Sequence, residues 1–251
     1  MPETGLLWQQ MRRSLAIARK DIRIYYSKGP VVIFGILFPV FLFLSFTIGR
    51  HLSVDSMIPG LLGMILFFTA TSISPIVVPW EAQARTLERL MSCPVRLETI
   101  IVGDVLASFA FGMAISLVPI IIGLALGVTV SSPAILALAV ILAALCFASL
   151  GSVFSIPPTN LPATVNMIAS VVKFPVVFIS GIFIPLDELP AWGQAIAYIS
   201  PLTYFTDIAR GCIQGRGHLP LAIDLTALVA FTTFFLLVAM KLHQRTMPRR
   251  I

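Results

Sequence analysis

Charged residues are scarce in this chain of 251 residues: only 11% are Asp, Glu, Lys or Arg, whereas 58% are hydrophobic. Ordinary soluble domains carry roughly 25% charged residues. The shortage excludes a soluble globular domain and indicates a protein that crosses a membrane several times. The first apolar run starts at Val31, after six basic residues, and it is longer than the roughly 7–15-residue core of a signal peptide. We therefore expect no cleaved leader.

Residues that carry chemistry are also few. The three cysteines have no paired spacing, which argues against a disulfide framework or a thiolate metal site. The three histidines all fall outside the apolar runs, so no metal cluster or histidine dyad is expected inside the membrane. The dipeptide Gly-Lys is absent, which excludes a phosphate-binding loop of the Gly-x-x-x-x-Gly-Lys type. We expect that the chain is not an enzyme and holds no metal or cofactor.

Long apolar runs dominate the rest of the chain. A transmembrane helix needs roughly 20 mostly apolar residues. Six runs meet this requirement: 31–49, 57–79, 100–128, 134–156, 163–184 and 219–240. They predict an all-α membrane protein with six transmembrane helices in a single domain covering residues 1–251. No internal repeat is visible, so a secondary transporter built from inverted repeats gains no support.

The distribution of Lys and Arg predicts the orientation of these spans. If the N-terminus is cytoplasmic, thirteen Lys and Arg residues fall on the cytoplasmic side, three fall outside, and one lies within a span. Cytoplasmic loops are enriched in Lys and Arg. Both termini are therefore predicted to be cytoplasmic, in the cell membrane. The net charge of +6 is explained by this topology and by contact with anionic lipid in the bilayer, without any nucleic acid.

The first 30 residues are predicted to form a basic amphipathic helix. Its apolar face consists of Leu7, Met11, Leu15, Ala18, Ile22 and Tyr25. A basic helix of this kind, followed by Gly29-Pro30, is typical of a helix that lies along the cytoplasmic membrane surface. Two interpretations remain open. The helix either only anchors the chain, or it also forms part of a docking surface for a cytoplasmic partner.

Residues 80–98 form the one substantial cytoplasmic loop, within "WEAQARTLERLMSCPVRLETI". Charges of opposite sign recur there at spacings of three and four, so they can meet on one side of a helix. We predict a short amphipathic helix that transmits force from a partner to both adjoining spans, although a solvated connector is the alternative. The residues assigned to this coupling role are Glu81, Arg85, Leu87, Glu88, Arg89 and Met91.

Residues 185–218 are apolar but interrupted by prolines. Asp187 or Glu188 can cap a helix that starts at Pro190, and Pro201 then forces a break before a second helix that ends near Gly215. Each helix is expected to have about ten to twelve residues, half of a span. We predict a re-entrant hairpin in the outer leaflet. The residues assigned to an outer gate are Pro185, Pro190, Trp192, Pro201, Tyr204 and Arg210.

Two charges fall inside predicted spans, where ionisable groups are costly and often functional. Asp104 lies a few residues into the third span, and Lys173 about ten residues into the fifth. The two residues either pair, or Lys173 extends to the membrane surface by itself. Asp224, near the outer end of the last span, is expected to be solvated.

The segment "SGIFIPLDELPAWGQAIAYISPLTYFTDIARG" resembles the signature of permease subunits of type-2 ABC exporters, which include drug-resistance and polysaccharide-export permeases. "WEAQARTLERLMSCPVRLETIIVGD" resembles the cytoplasmic segment of the same family, and the likeness covers nearly the whole chain. There are two departures. Arg85 stands where the family commonly has glycine, and Asp104 stands where a basic residue often follows the glycine at the start of the third span.

The resemblance implies a division of labour. Two permease copies, identical or related, would pair, and two cytosolic ABC ATPase subunits holding ATP and Mg would bind the amphipathic start and the 80–94 helix. The apolar spans favour a hydrophobic, drug-like or lipid-linked substrate. Alternatives are an exporter of polysaccharide or ions, an ion-coupled secondary transporter, a membrane-embedded enzyme and a purely structural membrane scaffold. The secondary transporter would need buried acidic residues near the middle of the membrane.

Overall fold

The computed structural model describes residues 3–26, 28–48, 53–93, 95–157 and 159–246. In these ranges the chain is α-helical and has no β-strand, which confirms the predicted all-α class. The helices are α1 (Glu3–Tyr25), α2 (Gly29–Val32), α3 (Phe38–Thr47), α4 (Val54–Ser72), α5 (Ser74–Gln83), α6 (Thr86–Met91), α7 (Leu97–Ala125), α8 (Pro133–Phe154), α9 (Pro162–Ile179), α10 (Ala191–Ala197), α11 (Pro201–Gln214) and α12 (Leu221–Thr246). A π-helical turn, Ile33–Leu37, joins α2 to α3.

Among the described residues, five helical segments are long and apolar enough to cross a membrane: Val54–Gln83, Leu97–Ala125, Pro133–Phe154, Pro162–Ile179 and Leu221–Thr246. The first predicted span, 31–49, corresponds to the shorter apolar helix Ile33–Ser45. A helix of 13 residues rises only about 20 Å, less than the roughly 30 Å of hydrocarbon. The chain is thus a multi-span membrane protein, and the sixth span stays a prediction.

Proline and glycine set several helix boundaries. Proline occupies the first position of α8, α9 and α11, where its missing N–H costs nothing. The helix predicted to end at residue 184 ends earlier, at Ile179, because Gly181 takes the left-handed conformation with φ of 74°. Gly215, with φ of 69°, likewise ends α11. Conversely, α12 continues to Thr246, beyond the predicted end at residue 240.

The α4 helix forms the centre of the bundle and is buried almost along its whole length by α7, α8 and α11. Small residues let the neighbouring helices come close. A Cβ atom at Gly112 of α7 would lie 3.0 Å from Ala70, and one at Gly151 of α8 would lie 3.1 Å from the backbone of Thr71. Close backbone approach through small residues is the usual packing mode between membrane helices.

Hydrogen bonds between helices show which elements lie at each end of the bundle. Ser14 of α1 donates a hydrogen bond to the carbonyl of Thr99 at the start of α7, so α1 and α6 lie at one end, which we call the docking end. Gln214 of α11 donates to the carbonyl of Asp55 at the start of α4, which places α10 and α11 at the other end, the hairpin end. The 29 residues of α7 connect the two ends over about 43 Å.

Candidate functional sites

The α6 helix at the docking end is held in the bundle by one buried side chain. Leu87 is 1% exposed and packs against Ile17 of α1, Val78 of α5 and Ile100 of α7. Met91 lies partly buried beside this cluster. The segment is amphipathic, as predicted, with Leu87 and Met91 on its inner side. The charged residues Arg85, Glu88 and Arg89 lie on the exposed outer side.

The charge pairing expected along this loop does not involve Glu81 and Arg85. Glu81 belongs to α5, is buried, and pairs with Lys20 of α1. The chain turns between α5 and α6, which places Arg85 on the surface rather than one turn above Glu81. Spacing along a helix predicts a contact only when the helix is continuous. Glu81 and Arg85 therefore do not meet, although they are four residues apart and opposite in charge.

The turn itself depends on Arg85. Its backbone adopts φ of 54° and ψ of 23°, the left-handed region that glycine enters freely and other residues enter at a cost. Arg85 is the position at which the resemblance predicts glycine. An arginine therefore holds the left-handed conformation at the position where the resemblance predicts glycine, and it bears a backbone strain that glycine would avoid.

A buried polar cluster connects α1 to α5 and α7. Lys20 Nζ lies 2.9 Å from a carboxylate oxygen of Asp21 and also binds Glu81. Asp21 is fully buried, and its carboxylate interacts electrostatically with the buried carboxyl group of Asp104 of α7. Burial lowers the pKa of Lys20, but the carboxylates of Asp21 and Glu81 outweigh this effect, so its pKa is raised above the ordinary value.

Sequence reasoning missed Lys20 and Asp21 as site residues because it placed the inner face of α1 elsewhere. Met11, Leu15 and Ile22 of the predicted apolar face are exposed, whereas Ala18 and Tyr25 are buried. The side chain of Leu7 lies outside the described residues. The face that packs on the bundle consists of Ser14, Ile17, Ala18, Asp21 and Tyr25. The available signal was Asp21, an acidic residue among the basic ones in the second half of α1 and in register with Ser14 and Ile17.

The C-terminal end of α1 is fixed by aromatic contacts. The rings of Tyr25 and Trp80 stack with centroids 5.5 Å apart, and the ammonium of Lys28 lies 4.2 Å from the Trp80 ring centroid. Burial raises the pKa of Tyr25 to about 12. Tyr26 packs edge-on against Phe111 of α7. Because α1 contacts both α5 and α7 through these rings, it cannot shift without moving the helices that flank α6.

Lys173 lies inside the bundle and bonds to the backbone of another helix. It is 2% exposed, and its Nζ donates to the carbonyl oxygen of Thr71 at 2.9 Å. In a regular helix that carbonyl would accept the N–H of residue 75, but Pro75 has none. Asp104 lies in the separate cluster with Asp21, so the structure does not bring the two intramembrane charges together.

The residues assigned to the outer gate occupy distinct positions at the hairpin end. Pro190 and Pro201 precede or begin α10 and α11, whose lengths are 7 and 14 residues rather than the expected ten to twelve. Pro185 precedes a 3-10 turn at Leu186–Glu188. The remaining three residues differ in exposure, with Trp192 exposed, Tyr204 half-buried and Arg210 buried.

The loop after α11 is held by a carboxylate that sequence reasoning did not single out. Asp207 accepts hydrogen bonds from the backbone N–H groups of His218, at 2.9 Å, and Leu219, at 2.8 Å. Asp224 of α12 is 1% exposed and lines the same cavity as Asp207. The expectation that Asp224 is solvated is therefore wrong, since α11 and the following loop cover it.

Five long apolar helices among the described residues define the class of the fold, a multi-span membrane protein. Residues 7–213 match the ABC-2 type transporter family, so the chain belongs to this family and is a type-2 ABC permease. It is also similar to the inner membrane transport permease YadH of Escherichia coli strain K12 and of Shigella flexneri, with 26% identity over 162 residues. These matches cover 64% of this chain and 63% of the length of each relative.

Proposed function

We propose that this chain is the transmembrane subunit of an ATP-driven exporter in which a separate cytosolic ABC ATPase hydrolyses ATP. The complex would contain two ATPase subunits and two permease copies. It would lie in the cytoplasmic membrane, as the name of the relative YadH indicates for that protein. ATP and Mg would be bound by the ATPase subunits. Membership of the ABC-2 type transporter family supports this division of labour.

The observation that carries the proposal is the position of α6. Its inner side is fixed by Leu87 between α1, α5 and α7, and its outer side presents Arg85, Glu88 and Arg89 to solvent. A partner that binds the charged side would transmit its movement through Leu87 to α1, α5 and α7. A solvated connector would not need a fully buried anchor of this kind.

The path of movement from α6 is proposed to run through α5 and α1 together. The ion pair of Lys20 and Glu81 joins α1 to α5, two of the three helices that hold Leu87, so α1, α5 and α6 would move as one unit. The span divides at Ile73, between α4 and α5, where Pro75 interrupts the helical hydrogen bonds. This division would let the docking half of the span tilt while α4 stays fixed in the centre of the bundle.

The excess of Lys and Arg supports an orientation with the docking end in the cytoplasm. The N-terminal helix would then lie along the inner membrane surface, and Ile33–Ser45 with its flanking residues would form a sixth span. The segment 185–218 would enter the outer leaflet as a re-entrant hairpin that closes the exit path. Its α11 helix, at 14 residues, rises about 21 Å and is too short to cross the membrane.

The apolar character of the spans supports a hydrophobic, drug-like or lipid-linked cargo. An ion-coupled transporter remains the second candidate, because the structure contains two groups of buried carboxyl residues that such a mechanism could use, Asp21 and Asp104 in one and Asp207 and Asp224 in the other. Each group lies near one end of the bundle rather than at its middle, where coupling ions of secondary transporters bind. The structure therefore favours the ATP-driven mechanism.

The test uses the complex purified from cells through a tag on this chain and reconstituted in liposomes. ATP-driven movement of a fluorescent hydrophobic cation is measured in vesicles whose docking end faces outward. Leu87→Ala removes the buried anchor, a change that costs about 2–5 kcal/mol in packed cores. We expect it to reduce transport per ATP hydrolysed several-fold. Proline at this position is less informative, since Leu87 lies in the first turn of α6, where proline is tolerated.

Leu117→Ala is the matched control, because it makes the same truncation on α7 at a leucine that is 52% exposed and lies outside the coupling residues. It should leave the ratio of transport to hydrolysis within about twofold, since truncating an exposed side chain leaves no buried cavity. ATP hydrolysis by the isolated chain would contradict the division of labour. Transport that needs no ATP and stops with a protonophore would favour the ion-coupled mechanism instead.

A further inference from the structure

A polar cavity of about 210 Å³ opens at the hairpin end, between the 3-10 turn at Leu186–Glu188 and the C-terminal half of α11. Arg210, which is 8% exposed, lines its buried part. The cavity is smaller than the roughly 300–1,000 Å³ pockets that bind drug-sized ligands. Its size therefore suits a small polar group rather than a large hydrophobic cargo.

Arg210 uses few of its hydrogen-bond donors within the protein. A guanidinium carries five N–H donors. Arg210 donates one hydrogen bond, to the carbonyl of Ile182 at 3.3 Å, and none of the described carboxylates lies within 4.0 Å of it. A buried cation normally has an anionic partner, because its desolvation is costly. The unused donors facing the cavity are suited to an oxyanion, which guanidinium groups bind with two parallel hydrogen bonds.

The backbone next to Arg210 leaves room for this arrangement. Gly181 adopts φ of 74°, and a Cβ atom at this position would lie 3.8 Å from Nη1 of Arg210. Asp207 also borders the cavity, but its oxygens already accept hydrogen bonds from the backbone of the following loop, so it does not neutralise Arg210 by direct pairing. The guanidinium is thus positioned by backbone groups and left available to a ligand.

The mouth of the cavity carries both signs of charge. Asp187 and Glu188 are exposed on the 3-10 turn, and Arg216 and His218 are exposed on the loop after α11. A ligand with only negative charge would be repelled by the two carboxylates. A ligand that carries a phosphate and an amine satisfies both parts, with the phosphate on Arg210 and the ammonium beside Asp187 and Glu188.

We propose that this pocket binds a phosphodiester that carries a primary amine. The phosphate would accept hydrogen bonds from Arg210, and the amine would lie at the acidic side of the mouth. This chemistry occurs both in a lipid headgroup and in a free solute. The proposal does not depend on which cargo the permease moves, because it concerns binding at the hairpin end alone.

The binding test uses the full chain purified in nanodiscs of phosphatidylglycerol, with calorimetric titration of three soluble probes. Glycerophosphoethanolamine carries phosphate and amine, glycerophosphoglycerol lacks the amine, and ethanolamine lacks the phosphate. We expect the first probe to bind at least about tenfold more tightly than either of the others. Arg210→Gln should weaken its binding by about tenfold or more, whereas Arg19→Gln, an exposed arginine at the docking end, should leave it unchanged.

A second variant keeps the test valid if Arg210→Gln fails to fold. Asp187→Asn combined with Glu188→Gln changes only exposed groups and should abolish the preference for the amine-bearing probe while leaving glycerophosphoglycerol binding intact or stronger. Repeating the titration in phosphatidylethanolamine nanodiscs separates the two sources: competition from the lipid identifies a headgroup site, and unchanged binding identifies a solute site. The proposal is overturned if no probe binds in either nanodisc, or if the probe with the amine has no advantage.

Discussion

The bond between Lys173 and the backbone of α4 leads to a quantitative prediction. Pro75 cannot donate an N–H to the carbonyl of Thr71, and Lys173 Nζ donates to that carbonyl at 2.9 Å instead. Lys173→Met therefore leaves a buried carbonyl without a donor only when residue 75 is proline. Pro75→Ala restores the N–H and makes Lys173 unnecessary. The two positions should be energetically coupled.

The size of the coupling follows from the contacts. A hydrogen bond from a charged donor contributes about 1.5–3 kcal/mol, whereas bonds between membrane helices average about 0.6 and reach about 1.7 kcal/mol. Lys173 is buried and makes a second, longer contact of 3.5 Å with Ser72, which persists in the Pro75→Ala background. We expect Lys173→Met to be less destabilising in the Pro75→Ala background than in the native one, by about 1–2 kcal/mol.

The assay is a double-mutant cycle on the free energy of unfolding in mixed micelles, with SDS as denaturant. The control cycle replaces Pro75→Ala with Pro79→Ala, because Pro79 frees a different carbonyl, that of residue 75, and should show no coupling to Lys173. Equal effects of Lys173→Met in both backgrounds, within about 0.5 kcal/mol, would refute the reasoning. Equal coupling in the control cycle would do so as well.

Two further predictions concern backbone positions at the docking end. Arg85→Gly should leave the free energy of unfolding unchanged or raise it by up to about 1 kcal/mol, because relief of the left-handed backbone strain offsets the entropic cost of glycine. Arg89→Gly, within α6, should lower the free energy of unfolding by about 1 kcal/mol. Equal losses at both positions in the same SDS assay would contradict the assigned turn. Gly103→Ala should destabilise the packing of α1 on α7 by about 1–3 kcal/mol, because the new Cβ would lie 2.7 Å from Ile17 of α1. Gly211→Ala should not destabilise the protein, because the nearest neighbour of its new Cβ would be 3.7 Å away. Protease protection of α1 measures the loss, and unchanged protection in Gly103→Ala would show that α1 docks elsewhere.

The sequence alone determined the helical membrane class and most helix positions. Apolar runs of about 20 residues have no stable alternative in a bilayer, because every backbone polar group must be bonded within the chain. The observed segments Leu97–Ala125 and Pro133–Phe154 therefore begin and end within a few residues of the predicted 100–128 and 134–156. Proline also gave the start of α11, since its fixed φ and missing N–H suit a first helical position.

Motif resemblance determined the family, and the match over residues 7–213 confirmed it. The same resemblance identified position 85 as unusual for lacking glycine. It did not reveal the backbone conformation at this position, because the identity of a residue does not by itself fix its φ and ψ. The structure shows that Arg85 adopts the left-handed conformation.

Only the tertiary structure decided which charges meet. Lys20 pairs with Glu81, 61 residues further along the chain, and Lys173 bonds to Thr71, which is 102 residues away. Periodicity predicts which residues share a face of one helix, but the rotation of that helix against its neighbours is set by close packing at positions such as Gly103 and Ile17. A small rotation of α1 therefore decides whether Asp21 points to solvent or into the bundle, and no local pattern in the sequence contains that information.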